Sequence, residues 1–429
     1  MASKIINAME WAGEIPENWD AKRLKIIFTE RKEKNNPEKT NFILSLGASY
    51  GVIPYSDKEG GGNKAKEDLE DYKLAYENDI VMNSMNIVSG AVGKSRYFGC
   101  VSPVYYVFYP SNKLLYNEDY FCYVFQTIPF QRSLFGLGNG ILVKESSTGT
   151  LNTVRLRIPM EKLGVQLLPI PPIEEQNQIV EYLDKKIPTI NIILEKTRST
   201  IEDYKQLKKS IISETLSKSL NGNKHFKKSG IEWIKEIPEN WDIKRGKTIL
   251  TLLNRSVKDD DEVITCFRDG EVTLRSNRRE TGFTFSIQED GYQGIEPGDL
   301  VVHGMDGFAG AIGISDSRGK STPVLNVMDS SQNKKYIMYY LRNMAYNGVF
   351  ISLSTGIRIR TCDTNWNKIK NILFAIPPIE EQNQIVEYLD KKIAEIDRLI
   401  EIKNELIQNL EKYKKTVIYE AVTGKKEVA

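Results

Sequence analysis

Residues Ile170–Ile187 read IPPIEEQNQIVEYLDKKI, and the same 18 letters return without a change at Ile376–Ile393. The offset is 206, and the alignment runs on without gaps, so that Lys208-Lys209-Ser210-Ile211-Ile212 answers Lys414-Lys415-Thr416-Val417-Ile418. Working outward, a second echo lies upstream at offset 222, where Glu14-Ile15-Pro16-Glu17-Asn18-Trp19-Asp20 returns as Glu236-Ile237-Pro238-Glu239-Asn240-Trp241-Asp242. A weaker third echo sits between them at offset 220: Asp79-Ile80-Val81 with Asp299-Leu300-Val301, Gly90-Ala91-Val92-Gly93 with Gly310-Ala311-Ile312-Gly313, Ser102-Pro103-Val104 with Thr322-Pro323-Val324. The chain is therefore two copies of one unit.

After each Pro-Pro pair the pattern turns helical, with Glu174 and Glu175 in a first turn where the helix dipole favours acids. Ile179, Leu183, Ile187, Ile190, Leu194 and Ile201 recur at steps of three, four or seven, and Ile385, Leu389, Ile393, Ile396, Ile400, Ile407 and Leu410 form the corresponding seam. Flanked by Lys and Glu, this is a coiled-coil stripe on a helix of about 45 residues, roughly 70 Å long. A stripe so narrow needs a partner, and the duplicate supplies one, antiparallel if a two-fold axis relates the copies. Pro188, opposite Ala394 in the second copy, predicts a bend in the first helix alone.

The globular parts, roughly 14–168 and 236–374, mix short β-type runs (Asp79–Met82, Val101–Tyr109, Asp299–Val302) with turns. Each ends in a helical pattern, Glu118–Arg132 and Lys334–Asn347. The expected class is α+β: globular domains at 1–169 and 223–375, long helical repeats at 170–222 and 376–429, the helices forming an antiparallel coiled coil with pseudo-two-fold duplication.

Composition narrows the chemistry. Hydrophobic residues at 40% and charged residues at 27% describe a soluble globular protein. No apolar run nears the ~20 residues of a membrane span, and the N-terminus lacks a signal-peptide core, so a cytoplasmic location is expected. Cys100, Cys122, Cys266 and Cys362 form no C-x-x-C pair and read as free thiols. With only His225 and His303, no metal site or Ser-His-Asp constellation is available. Gly136-Leu137-Gly138-Asn139-Gly140 follows a helical pattern rather than a strand, so it reads as a flexible turn and not a nucleotide loop. No P-loop and no Asn/Asp-Pro-Pro-Tyr/Phe motif is present, and Asp259-Asp260-Asp261-Glu262 reads as a solvated loop. The expectation is a non-catalytic chain with no metal and no cofactor of its own.

Recognition fits the inventory better. Net charge is only +2, and the small excess lies in the globular parts: 20 basic against 19 acidic groups in 1–173, and 22 against 19 in 223–375. A protein that gripped DNA alone would be more basic, so a partner is expected to share the clamp. Arg and Lys pair with guanine, Asn with adenine, and acids with cytosine N4. Candidates near Asp79 are Asn83, Asn86, Lys94 and Arg96, with His303, Asp306, Arg318 and Lys320 at the equivalent distance. A second cluster is Lys144, Ser147, Thr148, Arg155 and Arg157, answered by Ser354, Thr355, Arg358 and Arg360, and a third is Arg275, Arg278 and Arg279. Each also admits a plainer role in a surface ion pair or on a phosphate.

The repeated IPP-I-EEQ leading into a long helix, the repeated EIPENWD and the D-I-V…G-x-x-G…S-P block together resemble type I restriction–modification specificity subunits over nearly the whole chain. The resemblance implies two target-recognition domains, each reading half of a bipartite double-stranded DNA site, with the helices setting the spacing. It implies two docked methyltransferase subunits carrying S-adenosylmethionine, and two restriction subunits using ATP and Mg for cleavage. The competing reading is a coiled-coil scaffold without DNA specificity.

Overall fold

The computed structural model describes residues 9–48, 50–58, 65–141, 144–145, 151–152, 155–218, 220, 225–278, 290–352 and 364–428. The chain separates into two compact units: residues 1–197 with 405–429, and residues 198–404. Each takes one globular part, the first stretch of the long helix that follows it, and the last stretch of the other long helix.

In the first unit a four-stranded antiparallel sheet has the order Phe28–Glu30, Tyr105–Pro110, Ile80–Asn83, Val92–Lys94. In the second, the order is Leu250–Leu252, Leu325–Ser330, Leu300–His303, Ile312–Ile314. The register repeats as well, Ile80 facing Phe108 as Leu300 faces Met328. The central strands read as near-continuous apolar runs because both faces are covered. Ile80 and Met82 enter the larger core with the helices, whereas Val81 turns to a smaller core with Leu44, Leu46, Val52 and Val107. Leu300 and Val302 repeat the first role, and Val301 repeats the second with Ile264, Val272 and Val327.

The long helices are Ile173–Thr215 and Ile379–Val422, 43 and 44 residues. Within the first unit they run antiparallel: Lys414 donates to Asn191 Oδ1 at 2.7 Å, and Lys426, further along, reaches back to the Tyr182 hydroxyl at 2.7 Å. In the second unit Lys208 binds the Asp397 carboxylate at 2.8 Å. The seam is buried at Ile179, Leu183, Ile187, Ile190, Leu194, Ile201, Ile385, Leu389, Ile393 and Ile396, and half-buried at Ile400, Ile407 and Leu410. Its partner is more than the other helix. Ile179 to Leu194 share one core with Val417, Ile418, Ala421 and Val422 and with the aromatic side chains of the globular part. Ile385 to Ile393 do the same with Ile212 and Leu216. The first helix continues through Pro188, which sits on its exposed face, where the lost N–H bond faces water.

Two predicted elements are divided by local chemistry. The pattern at Glu118–Arg132 becomes helices Glu118–Gln126 and Ile128–Ser133, the second opening on Pro129. The run Val101–Tyr109 is split by a turn in which Tyr105 N donates to Ser102 O. Cys100, Cys122 and Cys266 are buried free thiols, their pKa values raised by burial, and Cys362 lies outside the described residues. Among the described residues no helix is long and apolar enough to cross a membrane.

Candidate nucleic-acid interface

Both repeated motifs meet where each long helix begins. The strand after EIPENW, Asp20–Arg23, pairs antiparallel with Leu167–Ile170, which ends in IPP. Asp242–Arg245 pairs with Leu373–Ile376 in the same register. Gln176, fully buried, donates to Pro171 O (2.8 Å) and Leu115 O (3.0 Å) and accepts from Asn117 N (2.9 Å). Gln382 donates to Pro377 O (2.9 Å) and Gln332 Oε1 (2.8 Å) and accepts from Asn333 N (3.0 Å). Asn117 and Asn333 are also N-caps of the helices Glu118–Gln126 and Lys334–Tyr346, and their amides donate to Asn177 and Asn383 at 2.7 and 2.8 Å. Two turns on, Tyr123 donates to Asp184 and Tyr339 to Asp390, both at 2.6 Å. Burial and the facing carboxylate push both phenol pKa values up. This clasp orients the helix and leaves one outward stripe exposed in both copies: Glu174, Gln178, Glu181 and Lys185, repeated as Glu380, Gln384, Glu387 and Lys391.

The opposite holds at the turn after the central strand, where the recognition candidates lie. Asn83 is buried at the strand end, its Oδ1 accepting from Met85 N at 3.0 Å. His303 fills the equivalent place, its Nδ1 accepting from Met305 N (3.2 Å) and Asp306 N (3.1 Å). Two unlike side chains thus cap one turn, and each turn closes on a left-handed glycine, Gly90 or Gly310. Burial holds the His303 pKa below its ordinary value, and the two backbone N–H groups aimed at Nδ1 make that nitrogen the acceptor. Around the tips the chemistry differs. The first unit exposes Asn86, Arg96 and Arg157. The second exposes Met305 and pairs Arg268 with Asp306 at 2.8 Å, while Arg278 lies 4.2 Å over the Phe267 ring and bridges to Asp269 and Glu271.

Several candidates are engaged within the protein. Lys94 pairs with Asp119 at 2.6 Å. Arg318 forks onto the buried Asp261 at 2.9 and 3.2 Å and also meets Glu296. Burial pushes the Asp261 carboxyl up, but the Lys258 N–H and the guanidinium outweigh it, and its pKa falls below the ordinary value. The expected solvated acidic loop is therefore anchored at this residue. Arg275 is half-buried beside Thr265, and Lys320 lies on the strand Gly319–Ser321. Lys144 and Arg155 are placed on short strands by their backbones. Ser147, Thr148, Arg279, Ser354, Thr355, Arg358 and Arg360 lie outside the described residues. Among the described residues no cluster of His, Cys, Asp and Glu could hold a metal.

Sequence reasoning missed the clasp and a duplicated ion pair at the start of each central strand. Arg31 forks onto Asp79 at 2.7 and 3.0 Å, and Arg255 onto Asp299, each aspartate also accepting a backbone N–H. The aspartates keep the offset of 220, but Arg31 and Arg255 lie 224 apart, because loop lengths differ between copies. A flank-by-flank alignment of each strand would have found them.

Comparisons with known proteins agree with this architecture. The family profile described as type I restriction modification DNA specificity domain matches residues 16–203 and 238–412. Over 442 residues the chain is 24% identical to the putative type I restriction enzyme MjaX specificity subunit of Methanocaldococcus jannaschii, covering 96% of this chain and 95% of that one. It is 25% identical over 443 residues to the type I restriction enzyme MjaVIII specificity subunit of the same organism, covering 96% and 93%. Among solved structures, a chain from a study of complex assembly and conformational transition of a type I restriction–modification system superposes with a TM-score of 0.69 at 15% identity, covering 96% of this chain and all of that one. The HsdS subunit from Thermoanaerobacter tengcongensis superposes at 0.52 with 14% identity, covering 96% and 98%.

Proposed function

We propose a division of labour from one premise: the chain belongs to the type I restriction modification DNA specificity family, and its task is to give such a complex its DNA sequence. Each unit reads one half of a bipartite site with the turn after its central strand and the segments around it, and the helices set the spacing. Two copies of one methyltransferase subunit dock on the two identical helix stripes. S-adenosylmethionine, and ATP with Mg where restriction subunits join, are held by those partners, and this chain contributes no catalytic group.

The observation that carries the reading is the contrast within each unit. The outward stripe is duplicated residue for residue and the clasp in all but the second acceptor of its glutamine, as identical partners require, while the reading turns differ, as unlike half-sites require. Single-molecule methylation mapping of DNA from cells expressing this chain with its methyltransferase subunit tests it. The expected result is methylation confined to one bipartite sequence. Methylation at many unrelated sequences, or none from an assembled complex, would contradict it and favour a scaffold.

A further inference from the structure

We infer that each unit carries a second DNA contact, a cradle for backbone phosphates beside the reading turn and independent of base sequence. Its residues are Arg23, Lys25 and Lys162 in the first unit, and Arg245 and Lys247, flanked by Lys370, in the second. The inference rests on the DNA-specificity reading and adds residues that the base-reading turn does not include.

Three observations carry it. The first is duplication where duplication is rare. The globular parts differ at most positions, yet Asp20-Ala21-Lys22-Arg23-Leu24-Lys25 is answered by Asp242-Ile243-Lys244-Arg245-Gly246-Lys247. The first lysine of each run is spent on its own strand's acid, Lys22 on Asp20 at 3.3 Å and Lys244 on Asp242 at 3.6 Å. Arg23, Lys25, Arg245 and Lys247 are exposed and make no ion pair with any described residue.

The second observation is position. In the first unit the reading turn is tied to the cradle by one short path. Ile158 N donates to Ser84 O at 2.9 Å, the helix Met160–Leu163 follows with exposed Lys162 and Glu161, and Lys25 N donates to Gly164 O at 3.0 Å. The second unit repeats it: Thr364 N to Gly304 O at 2.8 Å, the helix Trp366–Ile369, then Lys247 N to Lys370 O at 2.8 Å. One short helix thus separates each turn from free cations. The third observation is space. Beside Arg245 opens a groove of about 450 Å³ lined by Lys244, Arg245, Thr248, Ser331 and Gln332 together with Ile243 and Ile249.

Phosphate suits this better than a base edge. Two units that read different bases still meet the same sugar–phosphate chain, so among the DNA contacts it is the phosphate contact that has reason to be the same twice. It also answers the low net charge, since a few unpaired cations in the right place supply grip that overall composition does not.

The test uses the full-length chain purified with its methyltransferase subunit, a duplex carrying the mapped site, and a scrambled duplex of equal length. The variant Arg23→Gln/Lys25→Gln/Arg245→Gln/Lys247→Gln is expected to bind both duplexes about tenfold or more weakly. Its slope of log affinity against log salt should fall by about 0.9 for each phosphate contact removed. The methylated sequence should be unchanged, and the charge-preserving Arg23→Lys/Lys25→Arg/Arg245→Lys/Lys247→Arg should keep the slope. An unaltered slope would overturn the inference. So would a Gln variant that folds but no longer assembles, which would make this surface a protein contact. Failure of the function reading would look different: the unmodified complex itself would show no preferred sequence.

Discussion

The clasp at the start of each long helix and the turn at the end of each central strand are built from the same duplicated unit, yet they have diverged to different degrees. At the clasp, Gln176 and Gln382 make equivalent bonds within 0.1 Å at two of three positions, to Pro171 or Pro377 O and from Asn117 or Asn333 N. At the turn, Asn83 and His303 cap the same backbone with different atoms, and the exposed groups around them share almost nothing. Both sites need buried acceptors for backbone N–H groups. They differ in what faces outward.

The comparison can be broken most severely in the shared core. Leu183→Ala and Leu389→Ala should each destabilise their own unit by about 3–4 kcal/mol, seen as a lowered denaturation midpoint. The two losses should be alike, because each leucine is fully buried at an equivalent place. Unequal losses would mean that the duplicated helix starts are not equivalent supports. Next come the clasp glutamines. Gln176→Leu and Gln382→Leu strand buried donors and acceptors and should cost about 2–3 kcal/mol each, with the outward stripe no longer held in place. Methyltransferase docking, measured by co-purification, should fall in both variants.

The clasp also shows what the sequence made legible. Periodicity revealed the duplication, the helices, the central strands and the α+β class, because those depend on spacing along the chain. The clasp did not show, since Gln176 meets Asn117 from 59 positions further along the chain. Its duplicate is hidden besides: Ser111 matches Ser331 at offset 220, but Asn117 matches Asn333 at 216, since the first unit carries four more residues between them. The same slippage hid Arg31 and Arg255. Residue type alone suggested Asn83 and His303 as readers, but a side chain next to a tight turn satisfies the backbone first. Lys94 and Arg318 were drawn inward by Asp119 and Asp261, acids brought close by the fold and not by the sequence.

Smaller effects sharpen the comparison at the turns. Asn78, at φ 70°, stands where the second unit has Gly298, at φ 86°. Asn78→Gly should gain a few tenths of a kcal/mol, and Gly298→Ala should lose about 1 kcal/mol, both read from denaturation midpoints. His303 adds a pH dependence that Asn83 cannot have. Its folded pKa is depressed, so its contribution to stability is present above the unfolded value near 6.5 and is lost as pH falls through the depressed folded value. Thermal unfolding should drop below pH 6.5 for the second unit, and His303→Asn, which restores the first unit's cap, should flatten that slope.

The central claim is that two unlike readers sit on equivalent supports, and a chimera tests it directly. The strand pairs that close the two globular parts share one register, so residues 20–170 can replace residues 242–376 with both clasps retained. Methylation mapping of cells expressing this chimera with the methyltransferase subunit should return a site with two identical half-sites in inverted orientation, each matching the first unit's half. An assembled, active complex that still methylates the original asymmetric sequence would contradict the account.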